Sequence, residues 1–428
     1  MWPVFPATQT LGVALAAFLL VLFATRILQP AWWRSGPARA AILVAFGAIP
    51  IGVGIWHIGE GLQSARIILL GTAIAYIALF SLLPAAVVTP IAAVANRGLL
   101  FAFARPREPK KPRGARSHGA APHNETCERV GRRAVIHFGS AALPAMAAIG
   151  GASGFASAKK DPTMPVMRLR YPGLHPALAG LKILHLSDLH LGGCVSLEDL
   201  KRGLEIARAA HRPDLIVLTG DLADDVNLIP GALELLHEAG ARYGAIAALG
   251  NHEYLHDIDV TRPLFEASPV PLLVGSGTTL AINGAKLFIA GADDPVHMHG
   301  DIAEMLEPTI DAATAHTPKD ADFTLLLCHR PEGHGPAAAR NYDLTLSGHT
   351  HGGQIGLLGR SILEKIKPGI GWWGAYTKRR RDGKGPSRLY TTSGFGHWFP
   401  FRIGCPTEMP LIVLEGGDVP AAGLPTRA

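Results

Sequence analysis

Seven side chains of metal-binding types follow directly after short apolar runs in this sequence. The side chains are Asp188, His190, Asp221, Asn251, His329, His349 and His351, and the runs before them are 181–186, 215–219, 245–249, 323–328 and 344–347. Carboxylate, carboxamide and imidazole groups are ligands for divalent cations. Because five apolar runs each end in such groups, the sequence predicts a centre that holds two divalent metal ions.

A pair of divalent ions in such a centre would act on phosphoryl groups. Two ions about 3.5–4 Å apart can clamp a phosphoryl group and lower the pKa of a shared water towards about 7. A carboxylate that both ions share holds this spacing, and Asp221 is predicted to be that bridge. The glycines before Asp221, Asn251 and His349 are expected to turn the backbone sharply. A single histidine among the 19 of the chain is more often structural, so the prediction depends on the ordered set.

The apolar runs are predicted to be strands of a layered α/β domain. Between them, residues 197–210 and 229–236 carry apolar side chains at helical spacing. Alternating strands and helices indicate βαβ units, in which ligands gather beyond the carboxyl ends of the strands. After Gly275 the strands are shorter and are separated by Gly-rich turns, so antiparallel pairing is expected there. A sandwich of two sheets flanked by helices accounts for both halves.

The part of the chain before residue 159 has the composition of a membrane region. Hydrophobic residues make up 48% of the whole chain and charged residues 17%, and the apolar excess is concentrated in this part. A bilayer span needs about 20 apolar residues. On that basis we predict spans near 4–25, 40–58, 67–88 and 134–155. Residues 85–104 either extend the third span or form an interfacial piece broken at Pro84 and Pro90.

These runs predict two parts, a membrane region at 1–158 and a catalytic domain at 159–428. Cytoplasmic loops are enriched in Lys and Arg. The loop with Arg26, Arg34 and Arg39 and the strongly basic loop 97–133 are therefore predicted to lie inside the cell. Alternation then puts residues 159–428 on the periplasmic, outer face of the inner (cell) membrane. Whether the fourth run is later cleaved is left open.

The charge and the cysteines of the chain exclude other classes of protein. The net charge of +6 has a local origin in the basic loop, so no nucleic-acid partner is expected. The four cysteines, Cys127, Cys194, Cys328 and Cys405, have wide and unpatterned spacings. This spacing argues against a disulfide scaffold and against a structural zinc site.

The motifs together resemble one known family. Asp-x-His, Gly-Asp, Gly-Asn-His-Glu, a lone His and Gly-His-Thr-His-Gly-Gly-Gln are similar to the motifs of calcineurin-like metallophosphoesterases. The similarity runs from about Leu181 to Leu414 and includes a Ser393-Gly-Phe-Gly and Arg402-to-Glu408 tail typical of the membrane-anchored bacterial branch. The resemblance implies a four-layer α/β fold, a β-sandwich flanked by helices, preceded here by about four transmembrane helices.

The resemblance also implies roles for the site residues. Asp188, His190, Asp221 and His351 would bind one metal ion, and Asp221, Asn251, His329 and His349 the other. The two ions would be Mn, Fe or Zn. His252 would be catalytic, stabilising the transition state and protonating the leaving oxygen. This sequence has Glu253 where the family more commonly has Asp, which puts the orientation of His252 in question. No substrate-binding residue is assigned.

The expected function is that of a membrane-anchored dinuclear phosphoesterase that hydrolyses phosphate ester or pyrophosphate bonds by a metal-activated hydroxide. Its expected partners are the membrane and a phosphorylated small molecule or lipid, such as a lipid-linked or envelope substrate, and the oligomeric state is left open. One alternative is a UDP-2,3-diacylglucosamine pyrophosphatase of lipid A synthesis. An alternative of another class is a non-catalytic membrane sensor or transporter with a relic metal site.

Some further residues have weaker signals. Asp224 and Asp225 could lie beside the site, and a solvated loop is favoured for both. His185 and Cys328 are expected in the core, and Asp293 and Asp294 could approach the cleft. An insertion with Trp372, Trp373 and the basic run 378–381 could touch lipid headgroups or an anionic substrate, and a solvated loop is slightly favoured for it.

Overall fold

The chain folds into two compact units. The computed structural model describes residues 7–34, 36–62, 64–102, 142, 144–192, 194–294, 300–397 and 399–417. One unit comprises residues 3–156, and the other comprises residues 157–428 together with 1–2.

The first unit is helical. Its helices are α1 (Ala7–Phe23), α2 (Pro30–Arg34), α3 (Gly36–Gly61), α4 (Ala65–Ala102) and α5 (144–158), with a π-helical turn at Ala24–Leu28. In the described part of the chain, three helical stretches are long and apolar enough to cross a membrane: Leu11–Leu28, Gly36–Gly59 and Leu70–Leu99. They match the first three predicted spans in place.

Two details of the membrane prediction need comment. Helix α4 continues through Pro84 and Pro90, so the break considered at these prolines is absent. Apolar helices tolerate proline because neighbouring helices and Ser or Thr side chains satisfy the affected backbone groups. The predicted fourth span, 134–155, and the basic loop, 97–133, lie partly outside the described residues. The described residues of the fourth span, 142 and 144–155, are helical.

The 157–428 unit contains two mixed sheets and a small hairpin. Its strands are β1 (Val166–Tyr171), β2 (Lys182–Leu186), β3 (Leu215–Thr219), β4 (Ala245–Ala248), β5 (Ser276–Ile282), β6 (Ala285–Gly291), β7 (Phe323–Leu327), β8 (Leu344–Ser347), β9 (Gly356–Leu357), β10 (Arg360–Ser361), β11 (Gly374–Arg379), β12 (Pro386–Thr391) and β13 (Leu411–Gly416). The first sheet has the order β1-β13-β2-β3-β4, and the second has the order β11-β12-β8-β7-β6-β5.

Helices cover the outer faces of both sheets. They are α6 (Leu197–His211), α7 (Ile229–Glu238), α8 (Asn251–Leu255), α9 (Ile258–Glu266), α10 (Ile302–Thr314) and α11 (His334–Ala339). Helix α6 begins at a capping box made by Ser196 and Asp199, and its apolar residues Leu200 and Leu204 pack on the first sheet. Helices α10 and α11 pack on the second sheet through Ile310 and Ala337.

A third apolar core lies between the two sheets. Ile183 and Val217 of the first sheet pack there with Leu287, Leu325 and Leu344 of the second. The order helix, sheet, sheet, helix confirms the predicted four-layer α/β fold. Strands that are buried on both faces have continuous runs of apolar residues, and these runs allowed the strands to be predicted from the sequence.

The predicted antiparallel pairing after Gly275 was only partly right. The pairs β5–β6 and β11–β12 at the two ends of the second sheet are antiparallel. Strands β6, β7, β8 and β12 in the middle are parallel. Parallel neighbours require crossover connections, and α10 and α11 provide them between β6 and β7 and between β7 and β8.

Candidate metal centre

The seven predicted ligands lie just beyond the ends of β2, β3, β4, β7 and β8, and one of them, Asn251, is the first residue of α8. The structure brings ligand atoms of six of them, together with His252, into overlapping groups within 4.8 Å: Asp188, His190 and His351; His190, Asp221 and His252; and Asp221, His329 and His349. Strands of both sheets therefore contribute to one site. A fourth group, Asp224, His252 and His256, adjoins it.

One side of the site is formed by Asp188, His190 and His351. The Nε2 atoms of His190 and His351 lie 3.1 Å apart, and Nε2 of His351 lies 3.5 Å from Oδ1 of Asp188. All three side chains are buried. Two imidazole nitrogens at this distance either share a proton or face the same cation, so this donor set fits a metal ion.

The other side is formed by His329 and His349, and Asn251 follows Gly250, where a Cβ atom would lie 3.0 Å from Cε1 of His329. Oδ1 of Asn251 is buried and has no hydrogen-bond partner among the described residues. Nε2 of His329 also lacks a well-oriented hydrogen bond there, although Oδ2 of Asp221 is 3.2 Å away. A buried polar atom without a partner costs about 1–3 kcal/mol. A cation held by these atoms removes that cost, so this donor set also fits a metal ion.

Asp221 lies between the two sides. Its Oδ2 atom is 3.7 Å from Nε2 of His190 and 3.2 Å from Nε2 of His329. Its Oδ1 atom accepts a hydrogen bond from the backbone N–H of His252 at 2.9 Å. This position is the one that a carboxylate shared by two ions would need, and the bridging role stays a prediction.

The backbone is left-handed at five of the predicted ligands. The φ angles are 54° at Asp188, 48° at His190, 53° at Asp221, 66° at His349 and 48° at His351. Such φ values are uncommon for residues other than glycine, although Asp and His tolerate them better than most. Hydrogen bonds hold the geometry: the backbone N–H of His349 donates to the Asp188 carboxylate at 2.9 Å, and that of His190 donates to the Asp221 carbonyl at 3.1 Å.

The three glycines before the ligands serve two purposes. Gly220 adopts φ = 83°, as the predicted sharp turn requires. A Cβ atom at Gly250 would lie 2.3 Å from Oδ1 of Asp221, and one at Gly348 would lie 2.0 Å from Oδ2 of Asp188. Gly250 and Gly348 therefore make room for the carboxylates, which the sequence prediction did not anticipate.

Asp224 is buried in the site, so the expectation of a solvated loop was wrong. Its Oδ1 atom lies 3.1 Å from Nδ1 of His190 and 2.8 Å from Nδ1 of His252. Its backbone N–H donates to the Leu191 carbonyl, which turns the loop back into the site. Asp225 is only half-buried and caps the short 3-10 turn at Val226–Leu228.

Glu253 joins two of the ligand loops. Its buried carboxylate accepts hydrogen bonds from the backbone N–H groups of Gly250 (2.7 Å), Asp221 (3.0 Å) and Leu222 (2.8 Å). The orientation of His252, which the replacement of Asp by Glu had put in question, depends instead on Asp224.

Nearby carboxylates control the charge of His252 and His329. Burial disfavours the imidazolium of His252, but Asp221 and Asp224 outweigh it and raise the pKa to about 9. For His329, burial is likewise outweighed by Asp221, and the pKa rises to about 10. The two histidines in turn overcome the effect of burial on Asp221 and hold its pKa well below the usual range.

Two further histidines of the centre, His349 and His351, are neutral. Burial lowers the pKa of His349 well below its usual value, and the positive charges of His329 and Arg330 add to the effect. Burial and the neighbouring His190 and Arg402 do the same for His351. A neutral imidazole binds a metal ion without first losing a proton.

Arg330, which the sequence analysis did not single out, adjoins the site. Its Nη1 atom lies 3.0 Å from Nε2 of His349, and its Nε donates to Oδ1 of Asp294 at 2.7 Å. Burial raises the pKa of Asp294 to about 6 although His329 and Arg330 oppose it. Asp294 thus reaches the edge of the site through Arg330, and Asp293 accepts a hydrogen bond from the Tyr254 hydroxyl.

Arg402 fastens the tail segment against the site. Its buried guanidinium donates to the carbonyls of Ser393 (2.7 Å) and Gly396 (2.6 Å) and lies 3.5 Å from Nδ1 of His351. The signal that could have found it is a lone arginine in an otherwise apolar stretch.

Three of the weaker candidates are core residues. His185 is buried and its Nε2 lies 2.8 Å from the Thr219 hydroxyl, and Cys328 is also buried, as expected. Trp373 is buried too and donates to Oε1 of Glu408, so it is neither solvated nor at a lipid surface.

Sequence comparison agrees with this geometry. A model of calcineurin-like phosphoesterases matches residues 181–353. An uncharacterized metallophosphoesterase of Bacillus subtilis is 30% identical over 242 residues, which cover 55% of this chain and 79% of that protein. The chain belongs to the calcineurin-like phosphoesterase family. The family is one of metal-dependent phosphoester hydrolases, and the His and Asp clusters of this chain are the groups that could bind a metal.

Two further relatives in the family extend well beyond the region that they share with this chain. An uncharacterized metallophosphoesterase of Campylobacter jejuni is 29% identical over 265 residues, 61% of this chain and 65% of that protein. A transmembrane protein with metallophosphoesterase domain of Danio rerio is 28% identical over 285 residues, 61% of this chain and 59% of that protein. The chain thus spans less than two thirds of these two relatives. Its own three apolar helices indicate a membrane protein.

Proposed function

We propose that this calcineurin-like phosphoesterase is a membrane-anchored dinuclear enzyme that cleaves phosphate ester or pyrophosphate bonds of a lipid-linked or envelope substrate. Residues 1–158 would anchor it and residues 159–428 would carry the reaction. The observation that carries the proposal is the convergence of six of the seven predicted ligand side chains on one site. In addition, Asn251 and His329 present buried atoms without a well-oriented hydrogen bond among the described residues.

The side chains would divide between two metal ions. Asp188, His190 and His351 would hold one, Asn251, His329 and His349 the other, and Asp221 both. When bound, the ions would polarise the phosphoryl oxygens and make water nucleophilic near neutral pH. The left-handed turns and the carboxylate of Glu253 keep these ligands in place before substrate arrives, so that little reorganisation is needed during the reaction.

His252 would act on the leaving group. Asp224 holds its Nδ1 atom at 2.8 Å, and its backbone N–H is held by Asp221 at 2.9 Å. Nε2 is therefore the ring nitrogen that remains to donate a proton to the leaving oxygen. The side chain of His252 is 13% exposed, whereas those of His190 and His329 are 2% and 0% exposed.

Tethering favours a substrate in or near the bilayer. The same chain carries three helices that are long and apolar enough to cross a membrane, and the Danio rerio relative is named as a transmembrane protein. Phospholipids and lipid-linked phosphates are accordingly the proposed substrate class.

A substrate screen with the full chain tests the proposal. The protein, purified in detergent and loaded with Mn²⁺, is incubated with nitrophenyl phosphate, bis-nitrophenyl phosphate, phosphatidic acid and a lipid pyrophosphate. We expect hydrolysis of at least one lipid substrate, and its loss in Asn251→Ala. Asn227→Ala is the matched control, since this asparagine only bonds Asp225. Absence of hydrolysis of every substrate, with two metal ions bound, would favour a non-catalytic sensor.

A second experiment addresses the proposed periplasmic face. Alkaline phosphatase and a fluorescent protein are fused in turn after Ala428. An active phosphatase and a dark fluorescent protein are expected. The reverse would put the site in the cytoplasm, where UDP-linked lipids become the preferred substrates.

A further inference from the structure

A small hairpin next to the metal centre exposes apolar side chains. Strands β9 and β10 follow the last metal motif, and Leu357 is 65% exposed and Leu358 94%. The 3-10 turn at Ile362–Lys365 follows, and Ile366 at its end is 74% exposed. We name residues 357–367 the leucine hairpin. Clustered exposed apolar residues of this kind mark interaction surfaces.

The conformation of the hairpin makes Leu358 unusual. Register pairs Leu357 with Arg360, so Leu358 and Gly359 form a two-residue turn, and both have positive φ (52° and 76°). Such turns prefer Asn-Gly or Asp-Gly. A leucine at this position has a strained backbone and an exposed side chain, and no contact among the described residues compensates for the strain. Folding alone therefore does not account for Leu358.

The two faces of the hairpin differ. Gly356 and Ser361 face the protein, where a Cβ atom on Gly356 would lie 2.9 Å from the Trp373 ring. Leu357 and Arg360 form the next pair, and strand geometry points them to the opposite, exposed face. The root of the hairpin is fixed, because the backbone N–H of Gly356 donates to the Ile403 carbonyl at 2.7 Å.

The same short segment also carries exposed cations. Arg360, Lys365 and Lys367 are exposed, whereas Glu364, the one acidic residue of the segment, is partly buried and accepts a hydrogen bond from the Tyr376 hydroxyl at 2.9 Å. Trp372 is half-buried, and its indole N–H donates to the Lys367 carbonyl. Basic residues around an apolar tip, with a tryptophan beside them, are the composition of membrane-surface segments.

We infer that the leucine hairpin docks on an anionic lipid surface, with Leu357, Leu358 and Ile366 entering the headgroup–acyl boundary and Arg360, Lys365 and Lys367 contacting phosphate groups. Charge complementarity selects this occupant, and the same chain carries three helices that are long and apolar enough to cross a bilayer. Since His351 lies only six residues before Leu357, docking would bring the metal centre close to the lipid surface. The inference concerns contact with lipid and does not depend on the proposed reaction.

Spin labels in the full chain test the inference. Cys127 and Cys194 are first replaced by Ser, since Cys328 and Cys405 are buried. A label is then attached at Leu358→Cys, and for comparison at Lys319→Cys, an exposed position at the opposite end of β7 from His329. Both proteins are reconstituted in vesicles of phosphatidylcholine with or without phosphatidylglycerol, and accessibility to oxygen and to a nickel chelate is measured.

The label at position 358 is expected to favour oxygen over the nickel chelate in vesicles with phosphatidylglycerol, while the label at 319 stays accessible to nickel. Charge reversal by Arg360→Glu, Lys365→Glu and Lys367→Glu should lower the ratio of docked to undocked protein by roughly fivefold or more per residue. Hydrolysis of a soluble nitrophenyl ester should be unchanged, which shows that the variant is folded.

Two results would overturn the inference. Equal nickel accessibility at positions 358 and 319 in anionic vesicles would show that the hairpin stays in water. Magnetic coupling between labels at position 358 on two molecules, without protection by lipid, would show that a second copy of the chain covers it.

Discussion

The ligand loops and the leucine hairpin share a left-handed backbone and differ in what surrounds it. At Asp188, Asp221 and His349 the strained residues are polar and enclosed, and backbone hydrogen bonds hold them. At Leu358 the strained residue is apolar and 94% exposed. In the loops the strain is balanced inside the fold and serves the geometry of a metal centre. In the hairpin it is not balanced inside the fold, which is why a partner outside the protein is inferred.

The largest effect is expected from breaking the centre of the ligand loops with Asp221→Ala. Both proposed metal ions lose a shared ligand, and the backbone N–H of His252 loses its acceptor. Hydrolysis should be abolished and metal content should fall, as measured by elemental analysis. Asp225→Ala, in the same loop but half-buried, should keep both. Two full equivalents of metal in an inactive Asp221→Ala protein would contradict the bridging role.

A smaller effect is expected from His252→Ala, which tests whether His252 donates a proton to the leaving group without binding a metal ion. The rate should fall by roughly 10²–10⁴-fold, the usual range for a lost general acid. Metal content should be unchanged, and the loss should be smaller for nitrophenol esters, whose leaving group needs no proton. His256→Ala, whose ring lies 5.8 Å from that of His252, is the control. Equal losses for good and poor leaving groups would exclude the proposed role.

Glu253→Gln tests whether the Glu253 carboxylate stabilises the left-handed backbone of the ligand loops. The amide leaves at least one of three buried N–H groups, those of Gly250, Asp221 and Leu222, without an acceptor. The free energy of unfolding should fall by about 2–3 kcal/mol. Glu266→Gln, which breaks an exposed pair with Arg262, should change it by less than about 0.5 kcal/mol. Chemical denaturation of both variants measures these changes. Equal, small changes in the two variants would show that the Glu253 carboxylate does not stabilise the ligand loops.

The smallest effect is expected at the leucine hairpin, where the substitution should raise the free energy of unfolding instead of lowering it. Leu358→Asn puts a residue that tolerates positive φ into the turn and should raise the free energy of unfolding by about 0.5–1 kcal/mol. Leu357→Asn, one residue earlier and outside the left-handed region, should bring no such gain. Equal shifts in thermal unfolding of the two variants would mean that Leu358 is not strained.

The sequence predicted the strands and the grouping of the ligands because both depend on local patterns. An apolar run that ends in Asp or His is visible without a structure, and parallel strands bring such ends together. The contacts of Asp224, Arg330 and Arg402 depend on the tertiary fold, and nothing in the residues next to Asp224 and Arg330 distinguishes these two from solvated charges. The partners of Arg402, for example, are carbonyl groups of a tail loop whose path only the fold determines.

The position of β13 has a consequence for how the protein is made. This strand lies between β1 and β2, although about 220 residues separate it from β2 along the chain. At about 5–20 residues per second, a ribosome needs roughly 10–45 s to supply it after β2 has been synthesised. During that time β1 and β2 have no strand between them, and their open edges are prone to aggregation. We therefore expect the nascent chain to need protection by chaperones, and we expect a chain truncated before residue 411 to be degraded by proteases.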